Sequence, residues 1–250
     1  MATKQIGPIQ FQGKLGNIVG RTTRKGYMSL GMKATKVTNP QTQKQVIQRV
    51  KFNCAQEYAN GIPIDCFAGL RPYARSLKAS VRNAASKLCF NKNLMTVSIS
   101  TVTGDGRDVS TKIDPEKFFF SEGNEPGINY GEVSTETPQK AVVTVGVKAH
   151  KAGILHLIAY QADEHTFVHV TEPIVKDDTT EFIDVEATIP APSAWLGMQV
   201  YVYAYTQYLP EDITVDYYAK FAAANSKERE AIESRSTYSP TKLAGKGTIS

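Results

Sequence analysis

Hydrophobic and polar residues alternate with two different periods along this chain, and the period changes near residue 95. Before that point apolar residues recur every three to four positions, which is the spacing of an amphipathic helix. After it they recur at every second position, which is the spacing of a half-buried β-strand. The pattern therefore predicts helices first and a largely β-structured remainder.

Two helical stretches are predicted between residues 42 and 90. The first begins near Thr42, a residue type that caps helix N-termini, and ends at Asn60-Gly61. Its apolar face consists of Val46, Ile47, Val50, Cys54 and Tyr58. The second helix is predicted as one continuous element from about Arg71 to Cys89. Its apolar stripe consists of Leu77, Val81, Ala84, Ala85 and Leu88.

Seven segments after residue 94 have the alternation and the turn-rich borders of β-strands. They are LMTVSIS, EKFFFSE, KAVVTVGV, GILHLIAYQA, TFVHVTE, EFIDVEATI and MQVYVYAYTQ. Alternating strands about every ten residues, with no helices between them, indicate an immunoglobulin-like antiparallel β-sandwich. A helical insertion is predicted near 211–235, and the last fifteen residues are interpreted as a closing strand or a tail.

The N-terminal stretch from residue 6 to 32 indicates short strands joined by tight turns, with Thr23-Arg24-Lys25-Gly26 at a hairpin tip. Its glycines match neither a Walker A loop nor a dinucleotide-binding fingerprint, and strands flank its G-x-x-G. We therefore assign the glycines to turns, bulges and close backbone approach. The predicted fold class is α+β: an N-terminal β-hairpin and helical pair in residues 1–94, followed by the sandwich in 95–250.

Charge divides the chain at the same place. The formal net charge is +5, but residues 1–100 hold 16 Lys/Arg and two acids, whereas the remaining residues hold 13 Lys/Arg and 22 acids. The two parts therefore carry 16 − 2 = +14 and 13 − 22 = −9. The candidate partner- or polyanion-binding residues are Lys14, Arg21, Arg24, Lys25, Lys33 and Lys36.

Two kinds of partner fit this basic segment. Lys and Arg at such density neutralise phosphates, which predicts salt-sensitive nucleic-acid binding without sequence preference. They can equally meet an acidic protein surface, on a different protein or on another copy of the chain. The sandwich offers acids for such a contact at Asp177, Asp178, Glu181, Asp184 and Glu186.

Two N-terminal segments, GKLGNIVGRTTRKGYMSL and TNPQTQKQVIQRVKF, resemble the opening of an uncharacterised family common in Bacteroidota and their phages. That family shares a G-K-x-G-N-x-V-G element and a T-x-x-Q-x-x-x-R/Q-x-K-F helix. KIDPEKFFFSEGNEPG and IPAPSAWLGMQVYVYAY resemble its later segments. The 211–235 insertion and the basic hairpin tip depart from the pattern. The resemblance implies a β-sandwich and a virion or prophage setting, and it carries no activity.

Residue types that perform chemistry do not form a recognisable motif. His165 and His169 lie about 13 Å apart along a strand, too far to share a metal directly. The three cysteines lack Cys-x-x-Cys spacing and are predicted to be buried thiols, and Trp195 is predicted to be a core anchor. We therefore expect no metal, no cofactor and no catalysis.

The hypothesis that follows is a non-catalytic structural or assembly protein. It docks onto a protein partner or its own copies through the basic N-terminal module, and a phage virion component fits that design. A nucleic-acid-binding protein using the same surface is the alternative. No apolar stretch has the length of a membrane helix and no secretory signal is evident, so we expect synthesis in the cytoplasm.

Overall fold

The computed structural model describes residues 3–5, 13–16, 18–22, 28–32, 42–92, 94–99, 109–177, 179–210 and 226–250. Four short strands form an N-terminal antiparallel sheet in the order β1-β4-β3-β2. They are β1 (Thr3–Gln5), β2 (Gly13–Leu15), β3 (Ile18–Thr22) and β4 (Met28–Met32). The pairing of β3 with β4 confirms the predicted hairpin, whose tip at 23–26 lies outside the described residues.

Helix α1 (Gln43–Gly61) begins and ends where the sequence predicts. The side chain of Gln45 accepts a hydrogen bond from the backbone N–H of Thr42 at 3.3 Å, as in a capping box. The prediction of one continuous helix over 71–89 was wrong. The chain forms α2 (Arg71–Ser76) and α3 (Val81–Asn91), because Lys78 adopts a left-handed φ of 50° and Ser80 caps the second helix.

The remainder contains an antiparallel β-sandwich, as the alternation predicts, and a two-stranded hairpin whose second strand was not predicted. The hairpin consists of β5 (Met95–Ile99) and β6 (Val109–Ile113). The three-stranded sheet has the order β11-β8-β7, from Ile183–Pro190, Lys140–Val147 and Ile128–Ser134. The five-stranded sheet contains β10 (Thr166–Ile174), β9 (Gly153–Gln161), β12 (Gln199–Tyr208), β13 (Thr237–Tyr238) and β14 (Lys242–Thr248).

One predicted strand, EKFFFSE, does not form. Asp114 caps a short 3-10 turn over Pro115–Lys117, and Phe118, Phe119 and Phe120 then follow outside any strand as buried residues. The hydroxyl of Thr241 accepts hydrogen bonds from the backbone N–H groups of residues 120 and 121, both at 2.8 Å. A side chain thus satisfies the donors that a neighbouring strand would otherwise take.

Strand β9 lies in the centre of three layers and is buried at every position. Leu155 and Leu157 pack into the core between the two sheets. Ile158 and Tyr160 point to the other side, where they share a core cluster with residues of the helical layer, 42–92. The hydroxyl of Tyr205 in β12 donates to the carbonyl of Cys66 at 3.1 Å and ties the sheet to that layer. The boundary predicted after residue 94 therefore runs through a shared core.

The insertion and the closing segment also have defined places. Of the predicted 211–235 insertion, the described part forms α4 (Ser226–Arg235), whose buried Glu233 pairs with Arg71 of α2. The closing segment is a strand, β14, which pairs with β12. None of the helices in the described part of the chain has the length and apolarity needed to cross a membrane.

Candidate interaction surfaces

The N-terminal sheet has a basic face, formed by Lys14, Val19 and Arg21. Lys14 pairs directly with Val19, and Arg21 follows two residues later on the same strand, so the three share one side of the sheet. Both charged side chains are exposed. The structure thus brings two of the six predicted site residues together. Arg24, Lys25, Lys33 and Lys36 lie outside the described residues, and their roles stay predictions.

The opposite side of this sheet is apolar. Ile18 and Met32 are paired across β3 and β4, and they are 42% and 82% exposed. Leu30, on the same side, is half-buried. As far as the described residues show, neither core cluster of the molecule includes a residue of this sheet. Short strands of this kind receive little stability from burial on their own.

The helical layer continues the basic character. Residues 42–92 contain nine Lys/Arg and two acids, which is 9 − 2 = +7. Part of this charge is structural: Arg82 donates to the carbonyl of Asn60 at 2.8 Å, and Lys92 pairs with Glu122. Lys44, Arg75, Lys78 and Lys87 are exposed. The outer side of the helices is therefore a cationic surface.

The outer side of the three-stranded sheet, which we call the acidic face, carries the opposite charge. Glu132, Thr144 and Glu186 are aligned across β7, β8 and β11, and Tyr130, Gly146 and Asp184 form the next row. The three acids are exposed. Two of them, Asp184 and Glu186, were predicted partner residues, whereas Glu132 was missed because its strand was not predicted.

Tyr130 forms the centre of the acidic face. Its ring lies over Gly146, where an added Cβ would be 2.3 Å from a ring carbon. Its hydroxyl donates to the carboxylate of Asp184, and this hydrogen bond raises the pKa of Tyr130. The side chain is 37% exposed. The face thus combines an aromatic centre with a carboxylate border.

Of the remaining predicted acids, Asp177 and Glu181 belong to the described residues. Asp177 accepts hydrogen bonds from the backbone N–H and the hydroxyl of Thr179 at 2.7 and 2.6 Å, and these contacts lower its pKa to about 2. It therefore stays ionised but serves its own turn. Glu181 is exposed ahead of β11, and Asp178 lies outside the described residues.

His156 and His169, which the sequence analysis did not pair, are hydrogen-bonded to each other inside the molecule. His156 Nε2 lies 3.1 Å from Gln207 Oε1, which can only accept, so this nitrogen carries the hydrogen. His156 Nδ1 then accepts from His169 Nε2 at 3.0 Å. Burial lowers the pKa of His156 to about 3, and that of His169 also falls. Both rings are therefore neutral at pH 7, and the pair is a packing element.

The sequence predicts buried positions for the three cysteines and the tryptophan, and the structure confirms this for all of them except Cys54. Cys66 and Cys89 are buried, as expected, and burial raises the pKa of each thiol to about 12. Cys54 is half-buried instead. Trp195 is a core residue, and its Nε1 donates to the hydroxyl of Thr166 at 2.7 Å.

A cleft of about 690 Å³ opens between α1, β6 and the β9–β10 turn. Tyr58, Phe118, Tyr160 and Phe167 line it together with polar residues that include Cys54 and His165. The hydroxyl of Tyr160 and His165 Nδ1 share a hydrogen bond of 2.9 Å. Burial and the nearby Glu57 raise the pKa of Cys54, which keeps it a thiol rather than a nucleophilic thiolate. Within the described residues no three side chains form a metal-binding group.

Comparison with known proteins places the chain in a family without assigning an activity. A family model described as "Family of unknown function (DUF6266)" matches residues 10–215, so the chain belongs to this family. No curated protein and no solved structure gives a significant match. The match covers β2 to β12 and the helical layer, and it leaves out β1, α4, β13 and β14.

Proposed function

We propose that the protein is a non-catalytic structural or assembly protein that docks through its basic N-terminal module. The separation of charge carries this proposal. The N-terminal sheet and the helical layer are cationic, whereas the face of the sandwich farthest from the helices is acidic. Opposite charges on separate surfaces of one molecule favour oriented association with a protein partner or with other copies.

The residues with catalytic potential support a non-catalytic role. His156 and His169 are neutral and bonded to each other, and Cys66 and Cys89 are buried thiols with raised pKa values. These groups stabilise the core between the helical layer and the sheet. In this chain the imidazole and thiol groups serve packing rather than proton transfer or nucleophilic attack.

The setting we propose is a phage virion component, synthesised in the cytoplasm of a Bacteroidota cell. The motif resemblance supports this setting, and the architecture fits it: a five-stranded sheet covered on both sides supplies a rigid body, and an N-terminal sheet with exposed side chains supplies a contact element. No cofactor is part of the proposal.

Nucleic-acid binding is the second candidate, because the same Lys and Arg side chains could neutralise phosphates. Fluorescence anisotropy of labelled random-sequence DNA at two salt concentrations separates the two. We expect weak binding that disappears at physiological salt. Nanomolar binding at physiological salt would overturn the docking proposal, and its salt slope would count the phosphate contacts, at about 0.9 log units per contact.

The triple variant Arg21→Glu, Arg24→Glu and Lys25→Glu tests which residues are responsible. If the basic segment docks, this variant loses association while its thermal unfolding changes little, since exposed charges contribute little to stability. The matched control reverses three cations of the helical layer, Lys44, Lys78 and Lys87, all of which are exposed. Equal loss in both variants would assign the effect to net charge alone and contradict a specific site.

A further inference from the structure

The acidic face and the basic face of the N-terminal sheet together point to a particular partner. We propose that this partner is a second copy of the chain, whose basic face docks onto the acidic face of the first. This inference rests on the proposed function, because it names the partner of the same docking element. It makes the association directional, since the two contacting faces are different surfaces of one molecule.

Among the described elements, the N-terminal sheet has exposed side chains on both of its sides. Lys14 and Arg21 are exposed on one side, and Ile18 and Met32 are exposed on the other. By contrast, the five-stranded sheet is covered on one side by helices and on the other by the three-stranded sheet. A sheet whose described side chains are exposed on both sides can gain stability by association.

The receiving surface is the outer side of β7, β8 and β11. Among the described residues, neither core cluster contains a residue from this side. Tyr130 gives it a partly exposed aromatic centre, and aromatic residues are enriched at the centres of protein interfaces. Thr144 and Gly146, in the middle strand, are small, so little of the middle strand protrudes from the sheet surface. Glu132, Asp184 and Glu186 border this centre.

Charge decides which side of the N-terminal sheet makes the contact. Exposed carboxylates that are covered by apolar side chains lose hydration without gaining a partner, which is costly. Ile18 and Met32 would impose that cost, whereas Lys14 and Arg21 offset it. The basic face has the matching pattern, with half-buried Val19 between two cations.

Charge also selects against a symmetric pair of N-terminal segments. Residues 1–41 contain seven Lys/Arg and no acid, a net charge of +7. Two such segments face to face would repel each other, whereas each attracts the acidic face of a neighbour. The interface is therefore heterologous, and each docked copy leaves one basic and one acidic face available. Repetition of this contact produces a ring if it closes and a filament if it does not.

A charge-swap experiment on the full chain tests the inference. Sedimentation velocity over a concentration series is run at about 50 mM and about 500 mM NaCl, which shortens the screening length about threefold. The basic-face variant is Lys14→Glu with Arg21→Glu, and the acidic-face variant is Glu132→Lys with Glu186→Lys. The control, Lys44→Glu with Lys87→Glu, makes the same charge change as the basic-face variant at exposed positions of the helical layer.

We expect the wild type to self-associate at low salt, and each face variant to associate at least about tenfold more weakly, with the control changed less than about twofold. Combining all four substitutions returns opposite charges to the contact and restores association. Mixing the two face variants likewise produces complexes that neither forms alone. Far-UV circular dichroism and thermal unfolding confirm that each variant is folded.

Three results would overturn the inference: a wild type that stays monomeric at low salt, an acidic-face variant that associates as the control does, or a fourfold swap that restores nothing. Each leaves the proposed function standing, with a different protein as the partner. Tight DNA binding in the anisotropy assay would instead remove the proposed function itself. The two failures therefore appear in separate measurements.

Discussion

Strand β9 and the N-terminal sheet are both antiparallel β-structure, but they are covered in opposite ways. Every residue of β9 is buried, with the helical layer on one side and the three-stranded sheet on the other. In the N-terminal sheet, Met32 is 82% exposed, and Lys14 and Arg21 are exposed as well. The difference separates a region that holds the fold together from a region that can make a contact.

The contrast has an energetic meaning. Apolar burial supplies most of the free energy of folding, so the stability of this chain resides in the sandwich and the helical layer. We expect the N-terminal sheet to contribute little to global stability and its strands to open without unfolding of the rest. Substitutions in the two regions should therefore differ strongly in their effects on unfolding.

The largest expected effect is a cavity in β9. Leu157→Ala opens the core between the sheets and Ile158→Ala opens the core under the helices, and each should cost about 2–5 kcal/mol of unfolding free energy. Met32→Ala in the N-terminal sheet should cost less than about 0.5 kcal/mol. Urea unfolding measures all three. A loss for Met32→Ala that equals the β9 losses would remove the distinction between the regions.

A pair of glycines sharpens the same comparison. A Cβ added at Gly131 would lie 2.7 Å from the Cα of Ala244, because β14 crosses closely over β7. Gly131→Ala should therefore destabilise the fold by about 1–3 kcal/mol through overpacking. At Gly31 nothing lies within 4 Å of an added Cβ, so Gly31→Ala is the control and should change stability by less than about 0.5 kcal/mol. Comparable destabilisation by both would contradict the close sheet crossing.

The buried histidine pair makes stability depend on pH in the region of the shared core. The pKa of His156 is about 3 in the folded chain and about 6.5 when unfolded, so protons bind preferentially to the unfolded state. Its contribution is complete above pH 6.5 and is lost as the pH falls from 6.5 towards 3. The unfolding free energy should fall by about 1.4 kcal/mol per pH unit between 6 and 5.

Variants locate that dependence. His156→Gln should flatten the slope, whereas replacement of the exposed His165 by Gln should leave it in place. The unfolding free energies of both variants are measured by urea unfolding at about pH 7, 6 and 5. A slope that persists in His156→Gln would assign the dependence to other groups.

The smallest effect concerns the thiols, which report on opening of the helical layer. Cys66 and Cys89 should react with a thiol reagent at about pH 8 only after the helical layer opens. The reason is that burial raises the pKa of each thiol to about 12. Half-buried Cys54 should react first. Mass spectrometry of labelled peptides gives the order. Immediate reaction of all three in the native protein would contradict a packed helical layer.

The sequence predicts best where local pattern and tertiary environment agree. The strands from β8 to β12 have regular alternation or continuous apolar runs, and all five were located. Strand β7 was missed because a register shift between Ile128 and Tyr130 disturbs its alternation. The identity of β14 stayed open because Gly245 and Gly247 replace side chains where Val133 and Thr135 approach within 3 Å of an added Cβ.

The sequence alone could not predict the contacts between segments that are distant along the chain. The meeting of His156 and His169 depends on the register of β9 against β10, which places Ile158 opposite His169. The alignment of Glu132 with Glu186 depends on both strands pairing with β8. Charge asymmetry, by contrast, needs only the sequence, and it correctly placed Asp184 and Glu186 among the exposed acids of the sandwich.

Hydrogen exchange tests the central claim most directly, because it measures the cover of each strand separately. Peptide-level exchange of the full chain is followed at low and at high protein concentration. We expect amides of β3 and β4 to exchange rapidly at low concentration and to gain at least about tenfold protection as copies associate, while β9 stays protected throughout. An N-terminal sheet whose exchange does not change with concentration, or that matches β9 in the dilute protein, would contradict the account.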